Sequence, residues 1–354
     1  MKIFSTLAAI ALCSVSLTAQ SFSSPESVEY DNVGMRWFVG QNGSGQIHVY
    51  SPGSGTLLPF ASGLTSGPHG LEIMGNVLYV CDGASIKGFD LSSGSQVFNL
   101  NLGATFLNGL TTDGSTYLFA TDFSAKRIYR VCPSAGTYNI MVTTVKTPNG
   151  IYYDGANNRC VFVTWGTNAA VQAMAMADSS VSTLITTTSS NMDGITRDAA
   201  GYWYVTTWGG NALRMFDPTF SAQPTAVMTG LSSPADIDIN LAGDSIGIPN
   251  SGNANNVVFY TLPTGIPSLS GPENGTVYPS PATESIKIVL ETTVQNGTAE
   301  VYDMAGNLVS KQAFSGNTCV INRDSFASGT YIVMIMKEDT EVLFHDKIVF
   351  KDRD

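Results

Sequence analysis

The chain has 354 residues, 43% hydrophobic and 13% charged, with 35 Gly and a formal net charge of −11. That length allows two domains. So acidic a balance makes nucleic acid and anionic membrane poor partners, because phosphate binding needs clustered Lys and Arg.

Residues 1–19, MKIFSTLAAIALCSVSLTA, set one Lys before an apolar run that ends in small residues. This is the pattern of a cleaved signal peptide, too short to span a bilayer. Leu12 stands where an acylated Cys13 would need a small residue, so no lipid anchor is expected. No later stretch is long and apolar enough for a transmembrane span. The exported chain keeps Cys81, Cys132, Cys160 and Cys319, without CxxC or zinc spacing. Buried single thiols are the default expectation, and export makes Cys132–Cys160 the disulfide to test first.

Over residues 20–262 one phrase returns six times: a turn residue, a polar residue, usually Gly, then an apolar strand. The copies are Pro25-Glu26-Ser27-Val28, Pro68-His69-Gly70-Leu71, Leu107-Asn108-Gly109-Leu110, Pro148-Asn149-Gly150-Ile151, Met192-Asp193-Gly194-Ile195 and Pro234-Ala235-Asp236-Ile237. The polar positions 26, 69, 108, 149, 193 and 235 are 43, 39, 41, 44 and 42 residues apart. Between them lie period-two apolar runs such as Gln46–Tyr50, Asn76–Val80, Arg127–Val131 and Tyr202–Thr206, rich in aromatic and β-branched residues. A period of this size, filled with short strands and turns, predicts a radial array, a six-bladed β-propeller with four antiparallel strands per blade. The sixth repeat looks one strand short, and a strand from the other terminus is expected to close the ring. Residues 263–276 are turn-rich and read as a linker. Residues 277–354 predict a second, smaller β-sandwich, so the fold class is all-β throughout.

In a closed propeller, equivalent positions face one another at one end of the channel. Glu26, His69, Asn108, Asn149, Asp193 and Ala235 would therefore converge. The two carboxylates and two amides among them are hard oxygen donors suited to calcium. Asn and Asp before Gly are equally ordinary turn residues. His69 could serve as a general base, or as a hydrogen-bonded turn residue. His48 and His345 are expected to be structural. By chain direction, Asp82, Asp122, Trp165, Trp208 and Asn250 fall around the same mouth, where the two Thr-Trp-Gly copies would offer aromatic walls or simply pack the blades.

The C-terminal segment carries Val277-Tyr278-Pro279-Ser280-Pro281-Ala282, Glu300-Val301-Tyr302-Asp303-Met304-Ala305-Gly306, Ser328-Gly329-Thr330-Tyr331 and Lys347-Ile348-Val349. Over its whole length it resembles the C-terminal sorting domain (type A) of the Bacteroidetes type IX secretion system. The resemblance implies recognition of residues 277–354 by the translocon, passage across the outer membrane, and a secreted or cell-surface location.

The propeller resembles the six-bladed gluconolactonase/senescence-marker family and, more distantly, the paraoxonases and NHL-repeat proteins. The similarity rests on Met192–Val205 followed by Thr207–Asp217, and on Pro148-Asn149-Gly150. It implies a divalent metal, calcium, held by Glu26, Asn108, Asn149 and Asp193. The segment Pro68-His69-Gly70 is similar to the one that carries a catalytic histidine in the paraoxonases, whose second histidine has no counterpart at Val80–Gly83. Phe106 stands where sugar-acid lactonases place an Arg, Gly109 where an Asp is common, and Val28 and Tyr30 replace a usual Pro and Trp. These departures weaken the case for an aldonolactone. The expected function is a secreted calcium-dependent hydrolase of lactones or related esters, with Asp193 or His69 as general base. The alternative is a non-catalytic NHL-type propeller that binds a surface glycan or a peptide.

Overall fold

The computed structural model describes residues 15–16, 22–51, 54, 56–240, 245–262, 275–303, 308–323, 326–337 and 341–352. The chain divides into two compact units, Met1–Leu262 and Pro263–Asp354. Apart from Val15–Ser16, the expected signal peptide, with Cys13, lies outside the described residues, as does the linker up to residue 274.

The first unit holds six four-stranded antiparallel sheets. Their inner strands are Pro25–Asp31, Leu71–Met74, Leu107–Thr112, Pro148–Asp154, Met192–Arg197 and Asp238–Ile239, and we number the sheets 1 to 6 in that order. Sheets 1 to 5 run outward in chain order. Sheet 6 takes its outermost strand from the other terminus: Val15 pairs with Phe259 and Ser16 with Val258. This strand falls inside the segment read as a signal peptide, and cleavage after residue 19 would leave Asn256–Thr261 as the edge.

The second strand of each sheet is buried along most of its length, as in Arg36–Gln41, Val77–Asp82 and Leu118–Asp122. Successive side chains of a strand point to opposite faces, so each such strand supplies two different cores. Leu78 and Val80 pack with Phe38 and Ile47 of sheet 1, whereas Tyr79 and Cys81 pack with Leu107 and Leu118 of sheet 3. The same arrangement repeats between sheets 3 and 4, 4 and 5, and 5 and 6. It closes between sheets 6 and 1, where Trp37 and Val39 meet Val257. Hydrogen bonds seal this last seam: Asp236 N–H donates to the Glu26 carbonyl at 3.0 Å, and Tyr30 N–H to Asp238 Oδ2 at 2.8 Å. The unit is a closed six-bladed propeller.

The glycines of the repeated phrase are required by close approach. A Cβ on Gly70 would lie 2.3 Å from the Asn108 carbonyl oxygen, and one on Gly109 would lie 2.6 Å from that of Asn149. On Gly150 it would lie 2.3 Å from that of Asp193, and on Gly194 2.6 Å from Ile237 N. Thr121 Oγ1 accepts from Gly109 N–H and donates to the Asn149 carbonyl at 2.7 Å. Thr206 Oγ1 links Gly194 N–H to the Ala235 carbonyl in the same way, at 2.8 Å. Each inner strand thus sets the position of the next.

The second unit is one five-stranded sheet built on a long hairpin, Ser285–Asp303 and Leu308–Asn322. Its first half pairs with Gly275–Tyr278 and its second half with Gly329–Lys337, which in turn pairs with Glu341–Phe350. Register breaks between Val289 and Val294 and between Val294 and Gly297 separate the halves, and such bulges bend a strand. Ile286 and Ile288 from one half then share a core with Val301, Val333, Ile335 and Ile348 from the other. Ala282 bonds on both sides of Phe350, to the Val349 carbonyl and from Lys351 N–H. The sheet therefore folds over itself as a sandwich.

All four described cysteines are free. They are single thiols as expected, and the Cys132–Cys160 pair singled out for testing is not bridged: Cys160 is buried beside Met176 Sδ, whereas Cys132 Sγ contacts Ser134 Oγ at the end of the third strand of sheet 3.

Replacing Gly150 with Ala forces the inner strands of sheets 4 and 5 apart. The expected loss is about 1–3 kcal/mol, read as a melting temperature several degrees lower, with loss of any ligation that depends on Asp193.

Candidate axial site

Each expected ligand sits at a break in strand register. The ladder between the first and second strands skips between Pro25 and Ser27, Leu107 and Leu110, Pro148 and Ile151, and Met192 and Ile195. A bulge re-aims a side chain that would otherwise alternate with its neighbours. Here it frees Glu26, Asn108, Asn149 and Asp193, all of them buried.

The structure brings Asn149, Asp193 and Glu26 into one electrostatic unit. Burial pushes Asp193 well above the usual carboxylate range, and the charges of Glu26 and Asp236 push it further. The neighbouring Asn149 amide and Trp208 indole oppose this, although Trp208 Nε1 itself has no hydrogen-bond partner. Burial likewise raises Glu26 to about 7, against a 2.7 Å hydrogen bond from Ser251 Oγ. Asn149 Nδ2 donates to the Met192 carbonyl at 3.2 Å, which fixes the amide orientation and leaves the buried Oδ1 with no donor. Asn108 lies buried on the adjoining inner strand. Ala235 supplies no donor in the sixth position.

His69 stands apart from this unit. Its Nε2 is 3.2 Å from Asn42 Nδ2, and its ring meets Phe106 edge-on at 4.6 Å. Burial pulls its pKa down to about 4, against the Asp82 charge, so the imidazole is neutral at neutral pH.

Of the residues expected around the mouth, three tie loops to the ends of second strands. Asp82 accepts from Thr65 and Ser66 N–H and pairs with Lys87 at 2.6 Å. Asp122 accepts from Thr105, Phe106 and Ala125 N–H, and Asn250 from Ser232 N–H. Trp165 and Trp208 are half-buried, and their rings meet at 5.4 Å and 71°. They end a chain that sequence reasoning left incomplete. His69 contacts Phe106, Phe106 contacts Phe123 at 5.7 Å, and Phe123 contacts Trp165 at 5.6 Å. An aromatic arc thus runs over sheets 2 to 5.

Below the polar ring, Val28, Leu71, Leu110, Ile151, Ile195 and Ile237 form an apolar collar, one residue from each inner strand or the turn entering it. They border a cavity of about 420 Å3 that also takes in Glu29, Glu72, Asp236 and Asp238. The only signal for these acids in the sequence was charge inside an apolar strand, as in Leu71-Glu72-Ile73 and Asp236-Ile237-Asp238. Glu29 accepts from Ile73 N–H at 2.9 Å and neighbours Asp238. Burial raises all four, most of them further through one another's charge, and Asp238 reaches about 6.

Comparison with known proteins agrees with this architecture. Residues 276–351 match the family described as a secretion system C-terminal sorting domain. The chain carries a type IX sorting tail. It is exported, to the cell surface or beyond, and among the described residues no helix is long and apolar enough to cross a membrane. An endo-acting ulvan lyase of Formosa agariphila is 32% identical over 93 residues, which cover 24% of this chain and only 18% of the lyase. A gluconolactonase from Xanthomonas campestris superposes with TM-score 0.60 at 15% identity, over 71% of this chain and 89% of its own. A protein of unknown function from Bacteroides thetaiotaomicron gives TM-score 0.58 at 12% identity, over 70% and 72% of the two chains. A streptogramin B lyase gives 0.53 at 15%, over 70% and 96%. At these identities the likeness establishes the propeller fold alone.

A carboxyl group whose folded pKa is raised stabilises the fold below its unfolded pKa and loses that contribution as pH rises through the folded value. With Asp238 near 6 and Glu26 near 7, the chelator-treated protein should melt at progressively lower temperature from pH 5 to pH 8. Asp238→Asn should flatten that slope. A melting temperature constant over this range would contradict the assignment.

Proposed function

We propose that the exported protein is a metal-dependent hydrolase of lactones or related esters, acting at the axial end of the propeller channel. The observation that carries this reading is the buried Asn149 Oδ1, an acceptor without a donor, beside two carboxyl groups that repel each other. A divalent cation resolves both conditions at once. Among the described residues no cluster of three or more His, Cys, Asp or Glu could hold a metal, so amide oxygens have to complete the set. Glu26, Asn108, Asn149 and Asp193 would hold calcium, the cation suited to hard oxygen donors in a flexible coordination shell.

Calcium in this position would polarise a substrate carbonyl and favour negative charge on its oxygen. Asp193, buried beside the Asn149 amide and the Trp208 indole, would serve as base toward water. Glu26, fixed by Ser251, would supply the second carboxylate facing the cation. His69 is neutral at neutral pH, but its Nε2 is engaged by Asn42, which leaves Asp193 the better candidate base. The half-buried aromatic arc favours a second reading in which the propeller only binds a surface glycan.

Calcium titration calorimetry on the chelator-stripped full chain should show stoichiometric binding that Asp193→Ala lacks while remaining folded. Lactone and ester turnover should disappear in the same variant. A folded wild type that binds no calcium would sink the hydrolase reading. Deleting residues 277–354 should keep the propeller inside the outer membrane, as cell fractionation would reveal.

A further inference from the structure

The aromatic arc and its surroundings describe a ligand as well as a wall. Phe106, Phe123, Trp165 and Trp208 are all half-buried, and each packs edge to face with the next. Phe106 directly precedes the inner strand of sheet 3. The other three directly follow the second strands of sheets 3, 4 and 5, at the end of the channel where the polar ring lies. The gap in the arc falls at sheets 6 and 1, which supply Asn42 and Ser251, the partners of His69 and Glu26. One side of the mouth is therefore aromatic and the other offers hydrogen bonds.

Charge narrows the choice. The floor carries Glu26 and Asp193, and the chain has an excess of acidic residues. The cation–ring contacts among the described residues fall elsewhere, on Phe38, Tyr117, Trp203 and Tyr278. No cation stacks on these rings, and Lys87 at the mouth is already paired with Asp82, so an anionic ligand would gain little charge compensation from the arc. An acyl chain would have no use for the hydrogen-bonding side. A neutral pyranose fits both walls, since it has apolar C–H faces and hydroxyl groups at its rim.

We propose that the arc is a stacking track for a neutral saccharide chain, led over sheets 3 to 5 toward the axial site. This names the substrate class for the function proposed above and rests on that reading for any turnover, but binding itself needs no catalysis. Several rings in succession suit a chain with several sugar units, each stacking event contributing on the scale of an aromatic contact.

The test is calorimetry of the full chain, in chelator, with neutral hexasaccharides of β-1,3-glucan, β-1,4-xylan and β-1,4-mannan, and with an oligouronate as the charged control. At least one neutral hexasaccharide should bind in preference to the oligouronate. Phe123→Ala and Trp165→Ala should each weaken that binding about tenfold, the effect of one lost ring contact. Trp165→Phe should restore part of it and guards against a folding defect. Tyr138→Ala, an exposed ring on the outer strand of sheet 3, should change nothing. The proposal is overturned if no neutral hexasaccharide binds the folded chain, if Phe123→Ala and Trp165→Ala bind as wild type does, or if the oligouronate is preferred. Saccharide binding without turnover of any lactone would defeat the hydrolase reading alone. Turnover of simple lactones without saccharide binding would defeat this inference alone.

Discussion

Four inner strands lie so close to the next that a single methyl group would collide with backbone. Gly70, Gly109, Gly150 and Gly194 occupy those points, each against the following strand. This close approach narrows the channel until polar side chains from different sheets sense one another. It also places the Asn149 and Ala235 carbonyls where Thr121 and Thr206 can bond them. Because the contact is handed on from strand to strand, the axial site is only as well placed as the whole ring.

Two zones follow along the axis, separated by the apolar collar. Above it, bulges turn Glu26, Asn108, Asn149 and Asp193 away from strand alternation, and their donors are hard and few. Below it, Glu29, Glu72, Asp236 and Asp238 crowd a polar cavity where burial favours the protonated form of each. Asp236 connects the zones, because its charge acts on Asp193 above and on Glu29 below. It occupies the glycine position of the sixth phrase. The one repeat without a polar residue in the ligand position thus contributes a carboxyl group one residue later.

The sorting tail and the propeller make different physical demands. The tail buries a single core by folding one long hairpin over itself. The propeller has six similar cores, each between two sheets, and the last of them forms only when the sixth sheet meets the first. Its closing strand, Val15–Ser16, lies in the segment with the signal-peptide pattern, so export and ring closure draw on the same part of the chain.

How much was legible in the sequence differs from feature to feature. Six phrases about 42 residues apart, separated by alternating strands, already implied six sheets around an axis. Their polar residues had to meet, because a closed repeat sends equivalent positions to the same place. The C-terminal motifs likewise announced the sorting domain. What only tertiary structure decided depends on distances between sheets. Asn149 Oδ1 is orphaned because its Nδ2 reaches a carbonyl of sheet 5. Phe106 and Phe123 join the two tryptophans because loops of neighbouring sheets meet there. Glu29 and Asp238, more than two hundred residues apart, share a cavity only because the ring closes between them. Local sequence records which face a side chain takes; what that face meets is set by the neighbouring sheet, whose distance along the chain carries no local signal.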